Sequence, residues 1–263
     1  MPETNKPTIL GAIAGDVIGS VYEWNNIKHT AFDLFNHRYT FTDDTVLTVA
    51  VADAILHNAD FSTTIHKYGN HYPRRGYGGT FKQWLRSKNP EPYNSWGNGS
   101  AMRASSVGFA YDNIGTVLQK AKESAVCTHN HPDGIKGAQA VAAAVFMARR
   151  GKSKPEIMEF ISGKLGYNLN FTLDSIRAGY TFDVSCQGSV PHAIRAFIES
   201  SDYENAIRLA ISIGGDSDTI ACITGGIAAA YYKNIPDDIV KFVRGRLDPE
   251  LLEIVDEFDE KYG

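Results

Sequence analysis

The sequence predicts an all-α protein, and three observations carry that expectation. Apolar residues recur at helical spacing in most segments, cap signals stand at the expected ends, and strand-like runs are scarce. A single short run, "YTFDVS" (residues 180–185), qualifies as a strand candidate.

Taken in order, "LGAIAGDVIGSVYEW" repeats glycine every fourth residue at Gly11, Gly15 and Gly19. A helix here presents a groove that another backbone can approach closely. Each glycine costs roughly 1 kcal/mol relative to alanine, so tight packing has to offset it. Asp16 and Glu23 are seven apart and share a face, as solvated acids or as site residues. "TDDTVLTVAVADAIL" places Val46, Leu47, Ala50, Val51, Ala54 and Ile55 on one helical face. "KGAQAVAAAVFMARRG" is alanine-rich, ends in Arg149 and Arg150, and stops at Gly151. "SKPEIMEFI" offers Ser153 and Glu156 as a capping box with Pro155 in the first turn. "PHAIRAFIES", "YENAIRLAISIGG" and "PDDIVKFVRGR" read as helices, and "DPELLEIVDEFDEKYG" starts one with Asp248 as cap and Pro249 behind it. Residues 73–108, rich in Gly, Pro, Asn and Ser, read as one irregular region, of the kind that is functional or mobile.

With no linker, repeat or low-complexity tract, residues 1–263 are expected to form one domain. A hydrophobic fraction of 43% with 21% charged residues is ordinary for a soluble protein. The net charge of -4, with no basic run, argues against a nucleic-acid surface. Three scattered cysteines without a C-x-x-C pair favour free thiols in a reducing cytoplasm. "MPETNKPTIL" lacks a secretory n-region and apolar core, and no apolar run approaches the ~18 residues of a membrane span. A soluble cytoplasmic protein is the expectation.

The chemistry concentrates in four segments. Thr42, Asp43 and Asp44 in "FTDDTV" are good caps and sit well with a helix dipole. "GGDSDT" repeats the pattern with Asp216, Asp218 and Thr219, more oxygen than a cap requires. Two such helix starts brought together gather four carboxylates, which repel strongly unless cations sit among them. Hard divalent ions with oxygen ligands suit that composition, two ions can share it, and the lack of His or Cys points to Mg²⁺ or Mn²⁺ over zinc. In "YNSWGNGSAMR", Gly97 and Gly99 free backbone N–H groups while Ser95, Asn98 and Ser100 add donors. With Gly76, Gly78 and Gly79 of "RGYGG" this suggests an anion nest for a diphosphate. Trp96, Tyr77 and Tyr93 are candidate stacking residues, or packing residues. His129 is a candidate phosphate donor, and His131 beside Pro132 reads as structural.

These segments, in this order, resemble the ADP-ribosylglycohydrolase family, which includes the hydrolase that reactivates ADP-ribosylated dinitrogenase reductase and the vertebrate ADP-ribosyl-acceptor hydrolases. The matching pieces run from Gly11 to Tyr232, and the two aspartate motifs with "GNGSAMR" between them are the most specific. The resemblance implies a single all-α orthogonal helix bundle with a binuclear Mg²⁺ or Mn²⁺ centre below an ADP-ribose cleft. It implies metal ligation by Thr42, Asp43, Asp44, Asp216, Asp218 and Thr219, with Asp44 and Asp218 also essential to catalysis. Glu23 matches the acid near the scissile bond, as base or acid. Ser95, Trp96, Gly97, Asn98 and Gly99 match the loop on the diphosphate and distal ribose, with Gly78 and Gly79 in a second turn and His129 near the diphosphate. Trp96 stands where the family often has tyrosine, which keeps an aromatic wall and loses a hydroxyl.

The implied reaction is hydrolysis at C1 of the distal ribose, releasing ADP-ribose from a modified acceptor. ADP-ribosylarginine on protein is the leading expectation. Serine-linked, nucleic-acid-linked and free ADP-ribosyl substrates stand as alternatives, so nucleic acid enters only as a modified substrate. A non-catalytic ADP-ribose binder, a crystallin-like structural protein and a phosphohydrolase cutting the diphosphate are the rival classes. Glu91 and Asp112 are weak candidates for acids near the mouth that favour a guanidinium.

Overall fold

The computed structural model describes residues 8–263. Most of the N-terminal stretch read for a secretory leader, residues 1–7, lies outside the described residues.

The chain folds into α1 (Leu10–Gly19), α2 (Asp43–Leu56), α3 (Phe61–His71), α4 (Gly79–Arg86), α5 (Gly99–Met102), α6 (Ser105–Ala110), α7 (Ile114–Val126) and α8 (Pro132–Arg149). It continues through α9 (Lys154–Leu165), α10 (Leu173–Arg177), α11 (Cys186–Glu199), α12 (Tyr203–Ile211), α13 (Ser217–Tyr232), α14 (Asp237–Arg244) and α15 (Pro249–Tyr262). No named strand occurs among the described residues, so the all-α expectation holds.

Helix α13 runs through the centre, with every residue from Ser217 to Ala230 buried. Helix α1 lies against it almost backbone to backbone. A Cβ added at Gly11 would stand 2.7 Å from the Gly225 carbonyl oxygen, and one at Gly15 would collide with the Ala221 carbonyl. The glycine groove therefore exists, and α13 fills it. The alanine-rich α8 packs on another side, with Ala138, Ala140, Val141, Ala142, Ala143, Ala144 and Val145 fully buried.

The expected caps form. Ser153 and Glu156 make the capping box of α9, and Asp248 accepts from the Leu251 N–H ahead of Pro249 at the start of α15. Gly151, just past α8, takes a positive φ of 76°. His131 caps α8 by accepting from the Asp133 N–H, the structural role expected of it.

Three local expectations are corrected. "YTFDVS" is not a strand: it straps across the surface with Phe182 and Val184 exposed. Its pairing is limited to an isolated antiparallel bridge between Gly97 and Ser185. Without a buried face or a second neighbour, β-propensity has nothing to act on. Helix α11 begins at Cys186, not Pro191, because Ser185 caps it by accepting from the Gly188 N–H. Pro191 then sits inside the helix, and the bond it forgoes is to the carbonyl of the exposed Gln187. Residues 73–108 are not one irregular stretch, since α4, α5 and α6 lie in or at the end of them. Phe81, Trp84 and Leu85 bury one face of α4, a pattern that the flanking glycines and arginines obscure.

Candidate active site

The site is assembled from the N-termini of α2 and α13 and from the end of α1. Asp16, on α1, is completely buried and organises the start of α2. Its Oδ1 accepts from the Thr42 hydroxyl (2.7 Å), and its Oδ2 accepts from the Thr42 N–H (2.9 Å), the Thr45 N–H (3.0 Å) and the Thr45 hydroxyl (2.5 Å). Asp16 is thus not a solvated acid, and it is a site residue that the sequence reading left out of the ligand set. Thr42 caps α2 by accepting from the Asp44 N–H. Asp44 turns Oδ2 toward the Thr219 hydroxyl, which donates to it at 3.2 Å, while its buried Oδ1 has no hydrogen-bond partner.

Helix α13 starts differently. Asp216 occupies the cap position but makes no capping bond with its side chain. Its carboxylate instead accepts from Asn98 Nδ2 at 2.6 Å. The chain reaches it through Gly214 and Gly215, whose φ values of 69° and 76° are positive, a conformation glycine takes without steric cost. Asn26 clamps that turn, accepting from the Gly215 N–H (2.7 Å) and donating to the Gly215 carbonyl (3.0 Å).

Two groups of carboxylates result, each offering oxygens within 4.8 Å of one another: Asp16, Asp44 and Asp218, and Glu23, Asp216 and Asp218. Asp218 belongs to both. Asp43 belongs to neither; its N–H donates to the Arg75 carbonyl, and its Oδ1 faces the Gly76 turn. Thr42 sits behind the carboxylates and Thr219 beside them.

The electrostatics match the crowding. Burial, then the neighbouring carboxylates, holds Asp43, Asp44 and Asp218 well above the usual carboxylate range. Glu23 is raised to about 7 by burial first and by Asp216 second. Burial also raises Asp16 and Asp216, against the hydrogen bonds they accept. A divalent cation is the group that relieves such a cluster, and the unpartnered Oδ1 of Asp44 is an acceptor with no protein donor. The donor set therefore fits hard cations.

Above the carboxylates lies a cleft of about 720 Å³, within the range of small-molecule sites. Its walls include Gly78 and Gly79 at the start of α4, the loop from Ser95 to Gly99, and His129. Asn98 joins the wall to the floor through Asp216 and also donates to the Ser189 hydroxyl. Burial first and Arg103 second hold His129 well below the usual histidine range.

Trp96 is half exposed on the rim, edge-on to His131. Tyr93 lines the wall, whereas Tyr77 is buried against Phe81 and is a packing residue. Neither Glu91 nor Asp112 lines the cleft, and Asp112 pairs with Arg149 elsewhere. The acid on the rim is Asp183. Beside it Trp24, 76% exposed, stacks on Phe182, 43% exposed, with ring centroids 5.3 Å apart. Sequence reasoning missed all three. Trp24 and Phe182 carry a weak signal as aromatics beside "YE" and in a strand candidate that never finds a sheet.

The all-helical frame thus holds a shared carboxylate cluster, suited to hard cations, beneath a polar cleft. The family model for ADP-ribosylglycohydrolase matches residues 6–263, and the chain belongs to that metal-dependent family. It is 26% identical over 328 residues to the mouse (Mus musculus) ADP-ribosylhydrolase ARH3, covering 93% of this chain and 88% of that one. The human (Homo sapiens) ADP-ribosylhydrolase ARH3 is 26% identical over 330 residues, covering 93% and 90%. A solved structure titled ADP-ribosylglycohydrolase-related protein complex superposes with a TM-score of 0.76, at 23% identity over 98% of both chains, and shares the fold.

Proposed function

We propose that the protein, acting as one domain over residues 1–263, hydrolyses the bond between C1 of the distal ribose of ADP-ribose and a modified acceptor. The observation that carries this reading is the pair of carboxylate groups sharing Asp218, with Asp44 Oδ1 left free, at the base of the cleft. Asp44, Asp216 and Asp218, with the oxygens of Thr42 and Thr219, would hold two Mg²⁺ or Mn²⁺ ions; Asp43 stands at the edge of the set. Bound there, the ions supply anchoring of ribose hydroxyls and a more acidic water.

The protein's own groups do the rest. Gly78, Gly79 and Gly99 present N–H groups and Ser95 its hydroxyl to the diphosphate, which holds the ribose in register above the carboxylates, while Gly97 and Asn98 use their donors to brace the loop. Trp96 supplies the aromatic rim of that loop. Glu23, half-buried and raised toward neutrality, takes a proton from the attacking water or returns one to the leaving group.

The substrate in this reading is ADP-ribosylarginine on a protein, with arginine as the acceptor. A guanidinium stacks on aromatic faces and pairs with carboxylates, and the rim offers the Trp24–Phe182 stack beside Asp183. No cation is within salt-bridge distance of Asp183 among the described residues. The three unpaired thiols, Cys127, Cys186 and Cys222, accord with work in a reducing cytoplasm. No helix among the described residues is long and apolar enough to cross a membrane.

The test is a panel of arginine-, serine- and base-linked ADP-ribosyl substrates, with products identified. Release of intact ADP-ribose from the arginine conjugate, abolished by EDTA, is expected. Asp44→Ala and Asp218→Ala should each lower turnover by at least ~100-fold, in the range lost with a catalytic electrostatic group, without unfolding the protein. AMP among the products, or full turnover in both variants with Mg²⁺ in excess, would refute the proposal.

A further inference from the structure

Arg103 is the largest fully buried side chain, and it has no carboxylate within ion-pair distance among the described residues. A buried cation without a counter-charge is costly, so its surroundings bear on its use. Its Nη2 donates to the Ser124 carbonyl (2.9 Å), to the Thr128 hydroxyl oxygen (2.9 Å) and, weakly, to Cys127 Sγ (3.7 Å). Nε and Nη1 have no partner.

The Thr128 hydroxyl has one proton and two lone pairs. One lone pair takes the Arg103 donor, so the proton goes to another neighbour. His129 Nδ1 is 2.7 Å away and the Ala125 carbonyl is 3.5 Å away. The shorter contact is the stronger bond, which makes Nδ1 an acceptor and leaves the ring proton on Nε2.

Nε2 has no hydrogen-bond partner among the described residues and lies against the Ser95–Gly99 loop. A Cβ at Gly99 would come within 3.2 Å of it, and one at Gly97 within 3.5 Å. Only glycines there leave that edge of the imidazole open to the cleft.

We propose that Arg103 and Thr128 are positioning residues that lock His129 in its Nε2–H form, so that the ring donates to an anionic ligand at the Gly97–Gly99 turn. The opposite tautomer would present a lone pair to the anion. Arg103 adds a fixed positive charge behind the ring. That the anion is the diphosphate of ADP-ribose rests on the function proposed above; the tautomer does not.

Imidazole nitrogen NMR on isotope-labelled protein without ligand reads the tautomer, with the His129 signals assigned by their loss in His129→Gln. Wild type and Thr128→Ser should show a protonated Nε2 and an unprotonated Nδ1, and Thr128→Val should move toward a mixture of both forms. A protonated Nδ1 in the wild type would overturn the relay. So would an unchanged tautomer in Thr128→Val. In calorimetry ADP-ribose should bind about tenfold more weakly to Thr128→Val, near the loss of one charge-assisted hydrogen bond, while Thr128→Ser stays within about twofold. A wild type with the expected tautomer that fails to bind ADP-ribose would overturn the assigned ligand and the proposed function, and leave the relay standing.

Discussion

The starts of α2 and α13 carry nearly the same letters, "TDDT" and "DSDT", yet they are built in opposite ways. At α2 the cap is a threonine, and the buried Asp16 grips it and Thr45 through two accepted hydrogen bonds each. At α13 the cap position holds an aspartate that does no capping, and the backbone is steered by two positive-φ glycines clamped by Asn26. At α2 the Thr42 oxygen holds the helix start and leaves Asp44 to the centre; at α13 the glycine turn does the steering, and Asp216 turns to Asn98 and the neighbouring carboxylates. The segment from Asp16 to Asn26 reaches both, so a single short stretch sets the two halves of the site against each other.

If that contrast is right, Asp16→Ala should be the costliest change. It strands buried donors on Thr42 and Thr45, and a loss of roughly 3–5 kcal/mol is expected in urea unfolding, as for other broken buried networks. Mg²⁺ should come next, stabilising by about 2.7 kcal/mol at a hundredfold excess over its Kd, read as a rise in Tm that EDTA reverses.

The same titration has a pH signature. Glu23 is raised from 4.5 to about 7 in the folded protein, so its contribution is fully present below pH 4.5 and is lost as pH rises through about 7. Without divalent ions, stability should fall across that window; with Mg²⁺ the fall should flatten, because the cation favours the carboxylate. Equal slopes in both conditions would remove the link between crowding and cation binding. Asn26→Ala, which breaks the clamp on Gly215, is expected to cost about 2 kcal/mol for two hydrogen bonds. The smallest effect belongs to Asp216→Ala, within about 1 kcal/mol: it loses no capping bond, and relief of carboxylate repulsion offsets the lost hydrogen bond from Asn98, although turnover should fail. A ranking with Asp216→Ala above Asp16→Ala would erase the distinction between the two starts.

The carboxylate centre was legible because its motif occurs twice, and repetition is visible in a linear string. Asp16 was not, since a lone aspartate in an apolar helix looks the same whether it is solvated or buried beneath another helix start. The glycine spacing announced a close neighbour for α1 but could not say that α13, some two hundred residues away, supplies it. Tyr77 and Tyr93 looked alike as candidate stacking residues, and only tertiary packing separates the buried one from the one on the wall. Arg103 sits in a quoted motif, but its lack of an acidic partner is a fact about three dimensions. The short helix α4 and the strap at residues 180–185 were misread for the same reason: each takes its form from a neighbour rather than from its own periodicity.

The contact between α1 and α13 leaves no side chain between the two helices where their glycines meet: a methyl at Gly19 would already stand 2.6 Å from the Cα of Asp218. Interfaces built from leucines or valines can be widened or narrowed by exchanging one residue for another. This one has no such dial. The spacing between the acid on the first helix and the acids on the thirteenth is set by peptide groups in touch, so natural drift or deliberate redesign toward an ion of another radius has to act through the segments entering those helices.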